Sequence, residues 1–150
     1  MKKNTNRSLY FVSVLSEVID ARLRKALKKI GHHQLSPRDL GILVSVTRDY
    51  GGQMDLKDVY SNEMRPKSSV SDIAKRLEKN GYLTKQSAPD NAKKIVLVAN
   101  KKAHELFELI TIEITQIVNQ LYDGFTEEEK LQLMDLTTRA YKNLTGEKLK

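Results

Sequence analysis

Between Lys67 and Gly81 the apolar residues Val70, Ile73, Ala74 and Leu77 recur at three- and four-residue spacing, so a helix there buries one narrow stripe and nothing more. At about 100° per residue, Ser68, Asp72, Lys75 and Lys79 centre on the opposite side, flanked by Ser71 and Arg76. Pro66 restricts Arg65 to extended geometry ahead of this helix, and Asn80-Gly81 is a left-handed stop signal behind it. The fold must seat this helix at the edge of a small core, one face covered and a serine- and lysine-bearing face left to water.

The flanking segments agree. Tyr82–Gln86 and Lys94–Ala99 are β-prone runs separated by Ser87-Ala88-Pro89-Asp90-Asn91-Ala92, which predicts a β-hairpin with a polar loop of that length. Upstream, Asp55 caps a short helix over about 56–62, and Ser36-Pro37-Arg38-Asp39 supplies a cap, a proline in the first turn and an acid at the positive end of the dipole for a helix running to about Asp49. From Ser8 to Ile30 the apolar residues Val12, Leu15, Ile19, Leu23 and Leu27 predict a long amphipathic helix ended by Gly31. After Asn100, residues Ala103, Leu106, Phe107, Ile110, Ile114, Ile117, Val118 and Leu121 follow heptad spacing, with Leu109 and Ile112 apolar on another side. Thr126-Glu127-Glu128-Glu129 opens the last helix with a capping box. Helices apolar on more than one face need more than one neighbour, which predicts a homodimer.

Charge is regional. Residues 1–30 carry eight Lys/Arg and two acids, residues 65–94 eight and three, residues 101–143 five and eight, within a net charge of +7 over 150 residues. A basic block followed by a net-acidic helical region points to a polyanionic partner. With no cysteine, disulfides, thiolate nucleophiles and zinc ribbons are excluded. His32, His33 and His104 lack ligand spacing and predict no metal; loop polarity and surface exposure explain them. No Gly-rich phosphate loop or nucleophile elbow is present, so neither an enzyme nor a cofactor is expected. No apolar run reaches membrane-span length, and a cytoplasmic location is expected. Tyr10, Phe11, Tyr50, Tyr60 and Phe107 are expected in core or interface.

A short helix, a tight connection, a one-sided helix and a hairpin together make a helix-turn-helix carrying a wing. The DNA major groove accepts one such helix. Candidate base readers are Ser68, Ser71 and Lys75; candidate phosphate contacts are Arg65, Lys67 and Arg76, with Ser69 and Asp72 on the same segment and Lys85, Asn91, Lys93 and Lys94 on the wing. A winged-helix module that binds a protein partner or structured RNA without an operator is the alternative reading.

The run from Lys67 through Ser68-Ser69-Val70-Ser71-Asp72 to Asn80-Gly81-Tyr82-Leu83, the Pro89-Asp90 hairpin and Asn100-Lys101-Lys102-Ala103-His104-Glu105-Leu106 resemble the MarR-type (multiple antibiotic resistance regulator) family. Where that family often has Leu-Gly in the motif turn and an Asp-Arg-Arg wing cluster, this chain has Glu63-Met64 and Pro89–Lys94. The resemblance implies a mainly α fold with a small β-hairpin wing. It also implies a single domain in which a winged helix-turn-helix over about 37–99 is joined to dimerisation helices over about 8–30 and 101–145. The function it implies is that of a homodimeric, ligand-responsive regulator, usually a repressor, which binds a palindromic double-stranded DNA operator and takes a small-molecule effector.

Overall fold

A computed structural model describes residues 2–49 and 51–146, without the side chains of residues 2–6 and 49. Tyr50 therefore lies outside the described residues. Among the described residues, six helices and three strands run in the order α1 (Lys2–Lys29), α2 (Pro37–Val44), β1 (Gln53–Asp55), α3 (Leu56–Asn62), α4 (Lys67–Lys79), β2 (Leu83–Ala88), β3 (Asn91–Ala99), α5 (Lys101–Leu121) and α6 (Glu127–Thr145), with a π-helical turn over Ser45–Asp49 after α2. The chain clusters into two compact units, one ending at Ile114 and the other beginning at Thr115, so the cut falls inside α5.

The core of the first unit is built around α4. Val70, Ala74 and Leu77 are fully buried and Ile73 nearly so, packed with Leu43 of α2, Val59 of α3, Leu83 and Leu97 of the sheet and Leu106 of α5. The stripe read from spacing is thus the buried face. Gly81, at φ 80°, ends the helix in the left-handed region.

Three expectations need correction. The polar loop of the hairpin is a two-residue turn, Pro89-Asp90, because Ala88 is buried and carries β2 onward; an irregularity between Ser87 and Ala88 takes up the register before Ala88 meets Asn91. The sheet also has a third strand. β1 pairs antiparallel with β3, Met54 opposite Leu97, giving the order β1-β3-β2. Gly52, at φ 93°, turns the chain into it, and a Cβ there would lie 3.0 Å from His104 Nε2. Finally, α1 begins at Lys2 and not near Ser8, since nothing from Lys2 to Arg7 breaks a helix.

Along α1 only Ala26 and Leu27 are buried among the described side chains, while Leu9, Tyr10, Phe11 and Val12 are more than half exposed. In the second unit no described residue is buried. Its helix α6 starts at the expected capping box: Glu129 N–H donates to Thr126 Oγ1 (3.2 Å) and Thr126 N–H to Glu129 Oε2 (2.8 Å). Leu131, Met134, Leu136 and Leu144 of α6 stand exposed.

Candidate nucleic-acid interface

The side of α4 away from the core presents Lys67, Ser68, Asp72, Lys75 and Lys79 as exposed residues, with Ser69 half-buried. Two residues of the expected binding set are already engaged inside the protein. Ser71 Oγ shares a 2.7 Å hydrogen bond with Tyr60 OH of α3. Arg76 reaches back to α2, where its Nε donates to Asp39 Oδ1 at 3.1 Å and its Nη2 to the same oxygen. Asp39 is fully buried, and its Oδ2 accepts from Ser36 N–H at 2.7 Å and from Ser36 Oγ at 3.1 Å. What the sequence offers as a helix-dipole acid is therefore a buried anchor that ties the start of α2 to the last turn of α4.

The turn between α3 and α4 lies close to α2. A Cβ on Gly41 would sit 3.2 Å from Glu63 Oε1, so only glycine lets that carboxylate approach without displacement. Burial pushes the Glu63 carboxyl above its ordinary range, and Arg65, 3.9 Å away, pulls it partly back. Lys67 Nζ stands 4.8 Å over the Tyr60 ring, a cation–π contact that joins the two motif helices next to the Tyr60–Ser71 bond.

At the far end of α4, Tyr82 is fully buried and carries a polar cluster. Gln34 Nε2 donates to its hydroxyl at 2.6 Å, and His32 Nδ1 lies 2.6 Å from the same oxygen. Between Tyr82 OH and His32 Nδ1 either atom can be the donor, depending on the imidazole tautomer. Lys102 Nζ sits 4.4 Å over the ring and donates to Asn80 O at 2.9 Å. Burial and Lys102 lower the His32 pKa, while burial and Asp39 push Tyr82 up to about 12. Loop polarity predicts all three histidines at the surface; His33 and His104 are exposed, but His32 is half-buried. Among the described residues no group of three or more His, Cys, Asp or Glu is arranged to hold a metal ion, and no helix is long and apolar enough to cross a membrane.

The wing brings a second group together. An open cleft of about 620 Å³ is lined by Lys67 of α4, Lys57 and Tyr60 of α3, and Asn91, Lys93 and Lys94 of β3. Asn91 Oδ1 accepts from Lys93 N–H at 3.0 Å. Lys94 Nζ lies 3.3 Å from Asp55 Oδ2. Lys85 sits on β2, half-buried, and does not line this cleft. The sequence does not single out Lys57, whose only signal is a lysine in the first turn of a short helix, which by itself reads as solvated surface.

No protein-family model matches the chain. A curated relative, an uncharacterized HTH-type transcriptional regulator YwoH of Bacillus subtilis (strain 168), is 29% identical over 79 residues, which are 53% of this chain and 57% of the relative. The chain thus spans little more than half the length of that relative. Among solved structures, Sco3205, a MarR family transcriptional regulator from Streptomyces coelicolor in complex with DNA, superposes with a TM-score of 0.74 over 94% of this chain and 89% of that one, at 17% identity. The chain has the MarR-type fold. The organohalide-sensing regulator RdhR-CbdbA1625 in its 2,4-dichlorophenol-bound form shares it, with a TM-score of 0.70 at 23% identity over 93% of this chain and 80% of that one. Within the MarR-type fold of this chain, α3 and α4 form the helix-turn-helix and β2–β3 the wing.

Proposed function

We infer that the chain is a sequence-specific double-stranded-DNA-binding transcription regulator of the MarR type, acting by binding and not by catalysis. The observation that carries this reading is the state of α4: buried along one stripe, pinned to α2 through Asp39–Arg76, and exposing Ser68, Asp72 and Lys75 beside a lysine-lined cleft at the wing. The exposed residues of α4 read base edges, while Arg65, Lys67 and Lys93 contact phosphates and fix the register. Ser69 and Ser71 stand behind the reading face, and Arg76 orients the helix before it contacts DNA.

Support for a homodimer comes from apolar side chains that each unit leaves uncovered, Leu9, Phe11 and Val12 on α1, Leu109 and Ile112 on α5, and Leu131 and Met134 on α6. A two-fold dimer sets its reading helices about 34–36 Å apart on a palindromic operator, one turn of B-DNA. Repression released by a small apolar effector, in the cytoplasm where the DNA lies, completes the proposal; the phenol-bound relative favours an effector of that chemistry. Competition between the chain's own promoter region and bulk duplex tests it. A clear preference for the promoter is expected, and a specificity ratio near one overturns the reading.

A further inference from the structure

Asp55 occupies an unexpected place for a cleft that is to receive DNA. It is the one carboxylate among the lining residues of a cleft that also holds Lys57, Lys67, Lys93 and Lys94. Its two oxygens are divided: Oδ1 accepts the backbone N–H of Lys57 at 3.1 Å and caps α3, while Oδ2 faces Lys94 Nζ at 3.3 Å. The sheet register explains the second contact. Asp55 pairs with Val96 across β1–β3, and Lys94, two residues along β3, is its diagonal neighbour on the same face. The Asp55 side chain is 22% exposed and that of Lys94 46%, so the pair stands at the mouth of the cleft and not in the core.

We propose that Asp55 withholds Lys94 from the DNA backbone and so sets the strength of the sequence-independent part of binding. The inference rests on the DNA-binding reading above. A phosphate entering the cleft meets Lys57, Lys93 and, over the Tyr60 ring, Lys67, but meets Lys94 paired with an adjacent carboxylate that repels it. The cleft therefore counts one phosphate contact fewer than its lysines suggest. Lys57, from the first motif helix, takes part in binding although the sequence pattern did not single it out. The depressed Asp55 carboxyl, held down first by the Lys57 N–H and then by Lys94, keeps the carboxylate ionised throughout the neutral range.

The test uses the full chain and a fluorescent duplex of random sequence, titrated at several salt concentrations. Asp55→Asn keeps an oxygen to cap α3 and removes the charge that holds Lys94. Expected are binding tighter by up to about fivefold per bound subunit, the scale of one half-exposed ion pair, and a log–log salt slope steeper by about 0.9, the contribution of one further phosphate. In the Asp55→Asn/Lys94→Gln double variant, whose net charge equals that of the native chain, affinity and slope return to native values. Weaker binding by Asp55→Asn shows that Asp55 orients Lys94 toward DNA and overturns the proposal, as does an unchanged slope. Tightening that persists in the double variant also overturns it, since Lys94 is then not the group released. Failure of the native chain to bind any duplex overturns the DNA-binding reading itself, which an unresponsive Asp55→Asn in a chain that binds does not.

Discussion

The Asp39–Arg76 pair makes an asymmetric prediction. Asp39 has a side chain 1% exposed, whereas that of Arg76 is 44% exposed. Replacing Arg76 with Met leaves a buried carboxylate holding only its two bonds from Ser36. Stranding a buried charge costs about 3–5 kcal/mol, and the surviving bonds place this case near the lower end, about 3 kcal/mol. Asp39→Asn leaves the opposite residue, a guanidinium that already touches water, and keeps an oxygen for Ser36 N–H; its cost is about 1 kcal/mol. At about 2–4 °C per kcal/mol for a chain of this size, the melting temperature falls by roughly 6–12 °C in the first variant and 2–4 °C in the second. The double variant removes the stranded charge together with its partner, so it is more stable than Arg76→Met alone. Urea unfolding at fixed protein concentration measures all three. Equal penalties for the two single variants, or penalties that add in the double, refute the assignment of Asp39 as the buried member of the pair.

Three further outcomes are expected from contacts around α4 and from the uncovered helices. His32 has a folded pKa below the ordinary 6.5, so the unfolded chain binds its proton first. Its contribution is intact above about pH 6.5 and is lost as pH falls below that value, and comparing unfolding at about pH 7.5 and 5.5 should show a smaller acid loss in His32→Gln than in the native chain. Tyr60→Phe removes the hydrogen bond to Ser71 and lowers stability by about 1 kcal/mol but leaves sequence preference unchanged, because Ser71 stands behind the reading face; a relaxed preference would place Ser71 against the bases. Sedimentation at micromolar concentration should give a dimer, and a helical monomer would contradict the assignment of the exposed α1 and α6 side chains to an interface.

Much of the fold is legible because its boundaries are local. Gly31, Ser36-Pro37, Asn80-Gly81 and the Thr126–Glu129 box each end or begin a helix within a few residues of where their own chemistry dictates. What escaped depends on partners far along the chain. β1 is three residues long, too short for any periodicity, and exists because Ala99 N–H reaches Gly52 O at 2.7 Å and Met54 meets Leu97. Asp39 satisfies a helix-start pattern so well that its second role, with an arginine 37 residues away, leaves no trace in spacing. The same holds at the interface. The exposed face of α4 could be read from its wheel, whereas Lys57 and Asp55 join the wing cleft only through sheet pairing and the placement of α3.

The proposed function requires the exposed face of α4 to read sequence in duplex DNA. Selection of bound duplexes from a random pool tests it most directly, carried out with the native chain and with Lys75→Ala. The native chain should enrich an inverted repeat whose half-site centres lie about one helical turn apart, and Lys75→Ala should relax the preference at one position of each half-site, with a good base contact worth about 1–3 kcal/mol. Enrichment of no motif by a chain that still binds duplex in a salt-dependent way would contradict the claim and leave α4 as a sequence-blind basic surface.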